Sequence, residues 1–239
     1  MLTAQALDGP SVDVQKMATR WVEWLAADGR GASSSLRSAL DLIRTTGAPP
    51  ESGLTAGVEP VLRAIPIALK VHASPANLVS GPLHLGALTH PDPRAGWAAV
   101  AVAITLAHLV AGERDFVGDV LEALRVNGAP EEVITVTRKI PLRLRSEWGA
   151  TAALPPALAV MDASLWCAYH EPQLERGATA LASLDVPSDL RAAMTAAAVA
   201  AMAARDGSDT IPSRWSRAIP GAAATTALGA NLVRRDSLS

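Results

Sequence analysis

One cysteine, one tyrosine, one phenylalanine and six tryptophans stand in 239 residues. A single thiol, Cys167, excludes an internal disulfide framework and a cysteine-built zinc centre, and it predicts a reducing, cytoplasmic compartment. Aromatic residues at 3% are too few to fill a β-sandwich, so alanine has to carry much of the packing. That points to helices in close approach. Charge is sparse as well: 18% of residues are charged, the net value is −2, and no Lys/Arg run stands out. This leaves no electrostatic footprint for nucleic acid. The first residues, MLTAQALDGPSVDVQ, lack the basic start and apolar core of a secretion signal. Strand-like alternation never extends beyond a few residues, and no repeat of 20–50 residues or low-complexity linker is present.

What is there is apolar. At 49% hydrophobic residues the chain is too rich in core material to be disordered and long enough to bury a full core. The stretch AGWAAVAVAITLAHLVAG (95–112) has no acidic residue, Lys or Arg and approaches membrane-spanning length. Its Ala and Gly content, with Thr105 and His108, favours a buried helix of a soluble protein over a membrane span.

The punctuation predicts an all-α fold. PSVDVQKMATRWVEWLAADG should open a helix at Ser11 and stop near Gly29, with Met17, Trp21, Trp24 and Leu25 at helical spacing. SSSLRSALDLIRTTG has a serine-rich start and a stop at Gly47. In GVEPVLRAIPIALKVHA, Pro60 suits a first turn, while Pro66 is expected to bend or end the segment. HPDPRAGW reads as a helix start with Asp92 as N-cap and Pro93 in the first helical position. Further helices are expected over 115–126, 130–139, 156–169, 172–183 and 189–204, and one short helix after Pro212. Residues 1–220 are read as one α domain, and 221–239 as a C-terminal helix or tail.

Four stretches in order resemble the ADP-ribosylglycohydrolase family. GASSSLRSAL (31–40) is similar to its G-I-G-x-x-T-x-x-A-L segment. GVEPVLRAIPIAL (57–69) resembles G-N-G-x-x-M-R-x-A-P-I-A-L and keeps Gly57, Arg63 and Pro66. LTHPDPRAGWAAVAVAITLAHLVAG (88–112) matches the T-H-x-D-P-x-A helix. SLWCAYHE, SLDVPSDLRAAM and DTIPSRW follow the order A-L-W, N-L-G-G-D-T-D-T-V-A-A-I, I-P-x-x-W. The resemblance runs from about residue 5 to residue 219 and implies an all-α fold in an N-terminally shortened form. Active members hydrolyse ADP-ribose linkages with two magnesium ions, held by an early T-D-D-T and the late D-T-D-T motif.

Neither metal motif carries over well. Against the late one, Asp185 and Val186 stand at the glycines, Pro187 replaces the first aspartate and Leu190 the last threonine. Ser188 and Asp189 remain as oxygen donors, and Asp189 is the one catalytic candidate and metal remnant. SVDVQKMA (11–18) resembles a worn T-D-D-T-Q-M-A. A placement just after that motif explains more residues, so the chain is expected to lack the family's first helix. Magnesium needs several oxygens in near-octahedral order, and two ions need shared carboxylates. No cofactor is therefore expected.

The resemblance makes Arg63, His90, Asp92 and Ser188 candidate ligand-binding residues. Arg63 has a fixed charge and a fork suited to a diphosphate, or to a nearby carboxylate. His90 before a helix start can help bind an anion, or can close the turn. Asp92 reads chiefly as an N-cap, and Ser188 and Asp189 equally suit an ordinary helix start. Glu59 departs from the family glycine, and its carboxylate would oppose a phosphate. Cys167, in an apolar helix, reads as a buried filler and not a nucleophile. Three readings stand: a glycohydrolase-like enzyme without the dinuclear magnesium chemistry, a non-catalytic module binding ADP-ribose, a nucleotide or a protein, and an enzyme repurposed for another small molecule. A small nucleotide-like ligand is the expected partner, without nucleic acid or membrane.

Overall fold

Capping chemistry written into the chain sets most helix boundaries. The computed structural model describes residues 3, 4, 7, 12–52, 56–147, 151, 153–218, 223, 224, 226–228 and 230, and all regular structure among them is helical. Helix α1 (Val14–Ala27) begins behind Asp13, whose carboxylate accepts the Lys16 amide at 2.9 Å. The expected start at Ser11 lies outside the described residues, as does most of 221–239. Helix α2 (Ser34–Thr46) is capped by Ser33, whose hydroxyl accepts the Leu36 amide at 3.1 Å. It closes on Gly47 at φ 75°, a left-handed position that glycine takes without strain.

Of the two outcomes expected at Pro66, a bend or an end, helix α3 (Glu59–Val71) excludes the end. An interior proline costs about 3 kcal/mol through its missing amide and its clash with the preceding turn. Ile67 and Val71, both buried beyond the proline, each contribute roughly 1.5–3 kcal/mol. Burial therefore outweighs the broken bond. Helix α4 (Pro75–Ala87) is not among the expected helices, and it contains Gly81, Pro82 and Gly86, which locally disfavour a helix. Tertiary packing overrides them. A Cβ added at Gly86 would stand 3.4 Å from the Gly96 Cα of the next helix, so the two glycines let the backbones approach closely.

That next helix, α5 (Pro93–Val110), starts at the cap Asp92, whose carboxylate accepts the Arg94 amide at 2.9 Å. Helices α6 (Val117–Val126), α7 (Glu131–Lys139), α8 (Pro156–His170), α9 (Leu174–Ala182), α10 (Ser188–Asp206) and α11 (Ser213–Ala218) fall where the sequence places them. Short 3₁₀ turns occupy Ile140–Leu142, Arg145–Glu147 and Ser208–Thr210.

The centre is built from α5 and α8, which are apolar on every side, as suits helices surrounded by others. Every residue from Ala157 to Ala168 is buried. Helices α3 and α4 pack on α5, and α10 packs most extensively on α8. Helix α5 has the length and composition to cross a membrane, but 72% of that window is buried inside the protein. It is the core helix that its alanine content predicts.

Three of the polar side chains inside this core are tied to the chain above them. Asp162 of α8, fully buried, pairs with Arg143 and accepts the Thr151 hydroxyl at 2.7 Å. Trp166 donates its indole N–H to the Arg143 carbonyl at 2.9 Å, and His170 Nε2 lies 2.7 Å from the Ile140 carbonyl. Burial pushes the Asp162 carboxyl up to about 6, against the opposing pull of Arg143 and Thr151. Cys167 beside it is fully buried, with its thiol pushed up to about 12 by burial. It packs as a small apolar side chain.

Candidate functional site

The starts of four helices meet beside the segment Ala56–Val58. Glu59 is the first residue of α3, and its Oε1 accepts the hydroxyl of Ser33, the cap of α2. His90, just before the start of α5, places Nε2 at 3.2 Å from Glu59 Oε2. Ala157, in the first turn of α8, donates its amide to the Ala56 carbonyl at 3.0 Å. Helix N-termini carry partial positive charge, so a carboxylate gathered among them is well placed.

His90 is 1% exposed and leaves little freedom to its neighbours. Its Nδ1 lies 2.9 Å from the hydroxyl of the equally buried Thr89. A Cβ added at Gly57 would come within 2.6 Å of His90 Cδ2 and 2.9 Å of Glu59 Oε2. Glycine at position 57 is thus required by the His90–Glu59 pair, and not by its own backbone angle. Burial opposes the Glu59 charge, but the close His90 ring and the Ser33 hydroxyl outweigh it and hold the carboxyl at about 2. It is ionised at neutral pH and is no proton donor there.

Arg63 follows Glu59 by one helical turn and opens onto a cleft of about 290 Å³. Trp21, Trp24, Leu36, Leu40, Leu62 and Pro66 make its walls mostly apolar, with Glu59 and Arg63 as its charged lining. The guanidinium stacks over the Trp21 ring at 4.2 Å, close enough for a cation–π contact. Its Nη1 donates to Thr89 Oγ1 at 2.6 Å. Burial lowers the Arg63 pKa to about 10, against the pull of the Glu59 charge, so the side chain remains a cation. Among the described residues it makes no ion pair with a carboxylate. A second cavity, about 730 Å³, surrounds His72 and His108 near the far end of α5 and contains none of the candidate residues.

The remaining candidates lie apart from this cluster or are already engaged. Asp92 caps α5 and pairs with Arg94, Nη2 to Oδ2 at 2.7 Å. That hydrogen bond holds its carboxyl below the usual range, against a smaller opposing effect of burial. Arg94 also reaches Glu132 of α7 at 3.2 Å. Ser188 and Asp189 stand exposed in the first turn of α10, with Pro187 in the capping position. Asp185 is exposed before that proline. Among the described residues no hydrogen bond or ion pair engages the Ser188 or Asp189 side chain.

Two magnesium ions would require shared, converging oxygens. The described residues do not form such a set: Glu59 and Asp92 are held by protein partners, and Asp189 stands at the surface. Among them no group of three or more His, Cys, Asp or Glu side chains is placed to hold a metal.

The structure thus brings Arg63 and His90 together through Thr89 and adds Glu59, Ser33 and Trp21 to the same network. Sequence reasoning placed Ser33 and Trp21 only as helix start and packing residues. The T-H-x-D-P match contains Thr89, and that was the available signal for it. Nothing local indicates that Ser33 reaches Glu59, 26 residues away.

The helical core, with helix starts gathered around one cleft, belongs to a known class. The ADP-ribosylglycohydrolase family profile matches residues 1–238, and the chain belongs to this family. A solved structure described as an "ADP-ribosylglycohydrolase-related protein complex" is similar to it, with a TM-score of 0.73 and 23% sequence identity. The match covers 93% of this chain and 74% of that one, and at this identity it shows the fold. By sequence, no curated protein compared with the chain gives a significant match.

Proposed function

We propose that this protein is an ADP-ribosylglycohydrolase-like, ligand-binding member of its family that works without the dinuclear magnesium chemistry. Its ligand is ADP-ribose or a related nucleoside, held in the cleft that Trp21, Trp24 and Arg63 line. The observation that carries this reading is the Arg63 guanidinium, stacked on Trp21, open to a largely apolar cleft and paired with no carboxylate among the described residues. A purine or pyrimidine ring suits the half-buried Trp24 and the apolar wall beside it, and the guanidinium supplies donors for the polar part of the ligand. Binding in a cytoplasmic setting, without nucleic acid or membrane, accords with the near-neutral charge and the buried α5.

Family membership supports a second reading, hydrolysis of a glycosidic bond in the same ligand. In it Asp189 is the candidate carboxylate and Ser188 its neighbouring oxygen, and the ligand has to reach the exposed start of α10, outside the lining of the cleft. His90 supports the cleft through Thr89 and Glu59, and Asp92 starts α5. Calorimetric titration with ADP-ribose and adenosine, with and without magnesium, tests both readings. Binding of either ligand that is insensitive to magnesium and lost in Trp21→Ala supports the proposal. Two micromolar magnesium sites, or metal-stimulated release of free ADP-ribose from a modified substrate, would overturn its metal-free character.

A further inference from the structure

The Glu59 carboxylate lies where an anionic ligand group would be expected to sit. Helix starts favour negative charge, and those of α2, α3 and α5 converge here through Ser33, Glu59 itself and His90. Both carboxylate oxygens are already engaged from within the protein, Oε1 by Ser33 and Oε2 by His90. Gly57 leaves room for this pair and for nothing larger. One turn along α3, Arg63 faces the same cleft within electrostatic reach of Glu59. The positive groups around the cleft therefore meet a fixed negative charge before any ligand arrives. A diphosphate seeking Arg63 would be brought against Glu59, and like charges set close together disfavour a ligand strongly.

We infer that Glu59 is a specificity-determining residue, a built-in anion that makes the Trp21–Arg63 cleft select a neutral nucleoside over a diphosphate-bearing ligand. The inference rests on the proposal that this cleft binds a nucleoside-like ligand, and it names which kind. The size agrees: about 290 Å³ is at the lower edge of the roughly 300–1,000 Å³ usual for small-molecule sites. The ring of a nucleoside has the half-buried Trp24 to pack on, beside the Trp21 ring that Arg63 covers, and its uncharged sugar hydroxyls can accept from Arg63 and donate to Glu59. A phosphate has no proton to offer Glu59 in its dianionic form.

The test is calorimetric titration of the full chain and of Glu59→Gln and Glu59→Gly with adenosine and with ADP-ribose. The wild-type protein should bind adenosine about tenfold or more tightly than ADP-ribose, the order expected of a like-charge clash. Glu59→Gln, which keeps the size and removes the charge, should raise the ratio of ADP-ribose to adenosine affinity by about the same factor. Glu59→Gly should raise it at least as far. Wild-type binding of ADP-ribose as tight as that of adenosine, with a ratio unmoved in Glu59→Gln, would overturn the inference and leave the cleft reading intact. Binding of neither ligand by any of the three proteins would overturn the cleft reading and the inference with it. The wild-type ratio alone decides against the inference if it favours ADP-ribose, so a poorly folding variant does not remove the test.

Discussion

Replacing Gly57 by alanine isolates the packing of the His90–Glu59 pair in a single methyl group. The added Cβ would lie 2.6 Å from His90 Cδ2 and 2.9 Å from Glu59 Oε2, where nonbonded heavy atoms favour about 3.5–4.0 Å. The ring has nowhere to retreat. It is 1% exposed, with Nδ1 at 2.9 Å from the Thr89 hydroxyl and Nε2 at 3.2 Å from Glu59. Gly57 has no left-handed backbone angle, so the penalty is steric and not conformational. Overpacking of this kind costs about 1–3 kcal/mol. For a chain of this size each kcal/mol lowers the melting temperature by about 2–4 °C. Urea unfolding at pH 7, with calorimetric melting beside it, measures the loss. A double-mutant cycle supplies the control: in a His90→Ala background the same substitution loses its main clash, and the coupling should reach about 1 kcal/mol. Gly57→Ala within about 0.5 kcal/mol of wild type, or an equal penalty with and without His90, would refute the geometry.

Three other outcomes follow from the charged and buried groups. Glu59 ionises at about 2 in the fold, below its ordinary 4.5, so its stabilisation is complete above that ordinary value and is lost as pH falls through about 2. Urea titrations from neutral to acid pH should show a flatter acid limb for Glu59→Gln, and parallel limbs would contradict the pairing. Asp162 behaves in the opposite sense: raised to about 6, its contribution is present below its ordinary 3.8 and declines as pH rises through about 6. Asp162→Ala leaves the largely buried Arg143 without its partner and should cost about 3–5 kcal/mol in denaturant unfolding. A loss below about 1 kcal/mol would place that pair in solvent. Cys167, with its thiol at about 12, should resist a disulfide reagent at pH 8 until urea unfolds the chain. Rapid labelling of the folded protein would contradict its burial.

Local chemistry in the sequence determined the helical class and most helix limits. Ser33 and Gly47 bracket α2, and Asp92 with Pro93 starts α5, because caps and left-handed stops act within a few residues. The motif order also carried the family and, through T-H-x-D-P, the position of His90. Alanine richness marked α5 as a buried helix, since helices without a polar face have to be surrounded, and the fold set α8 beside it. Elsewhere local signals lost to tertiary packing. Pro66 stays inside α3 because apolar burial beyond it outweighs one missing hydrogen bond, and α4 forms despite Pro82 because Gly86 and Gly96 allow close contact with α5. The partners at the cleft were decided by the fold alone. Ser33, Glu59 and His90 are separated by tens of residues, and only the convergence of their helix starts makes one network of them. That convergence turns Glu59 from a departure in a motif into a carboxylate that joins the starts of α2, α3 and α5 at the edge of the cleft.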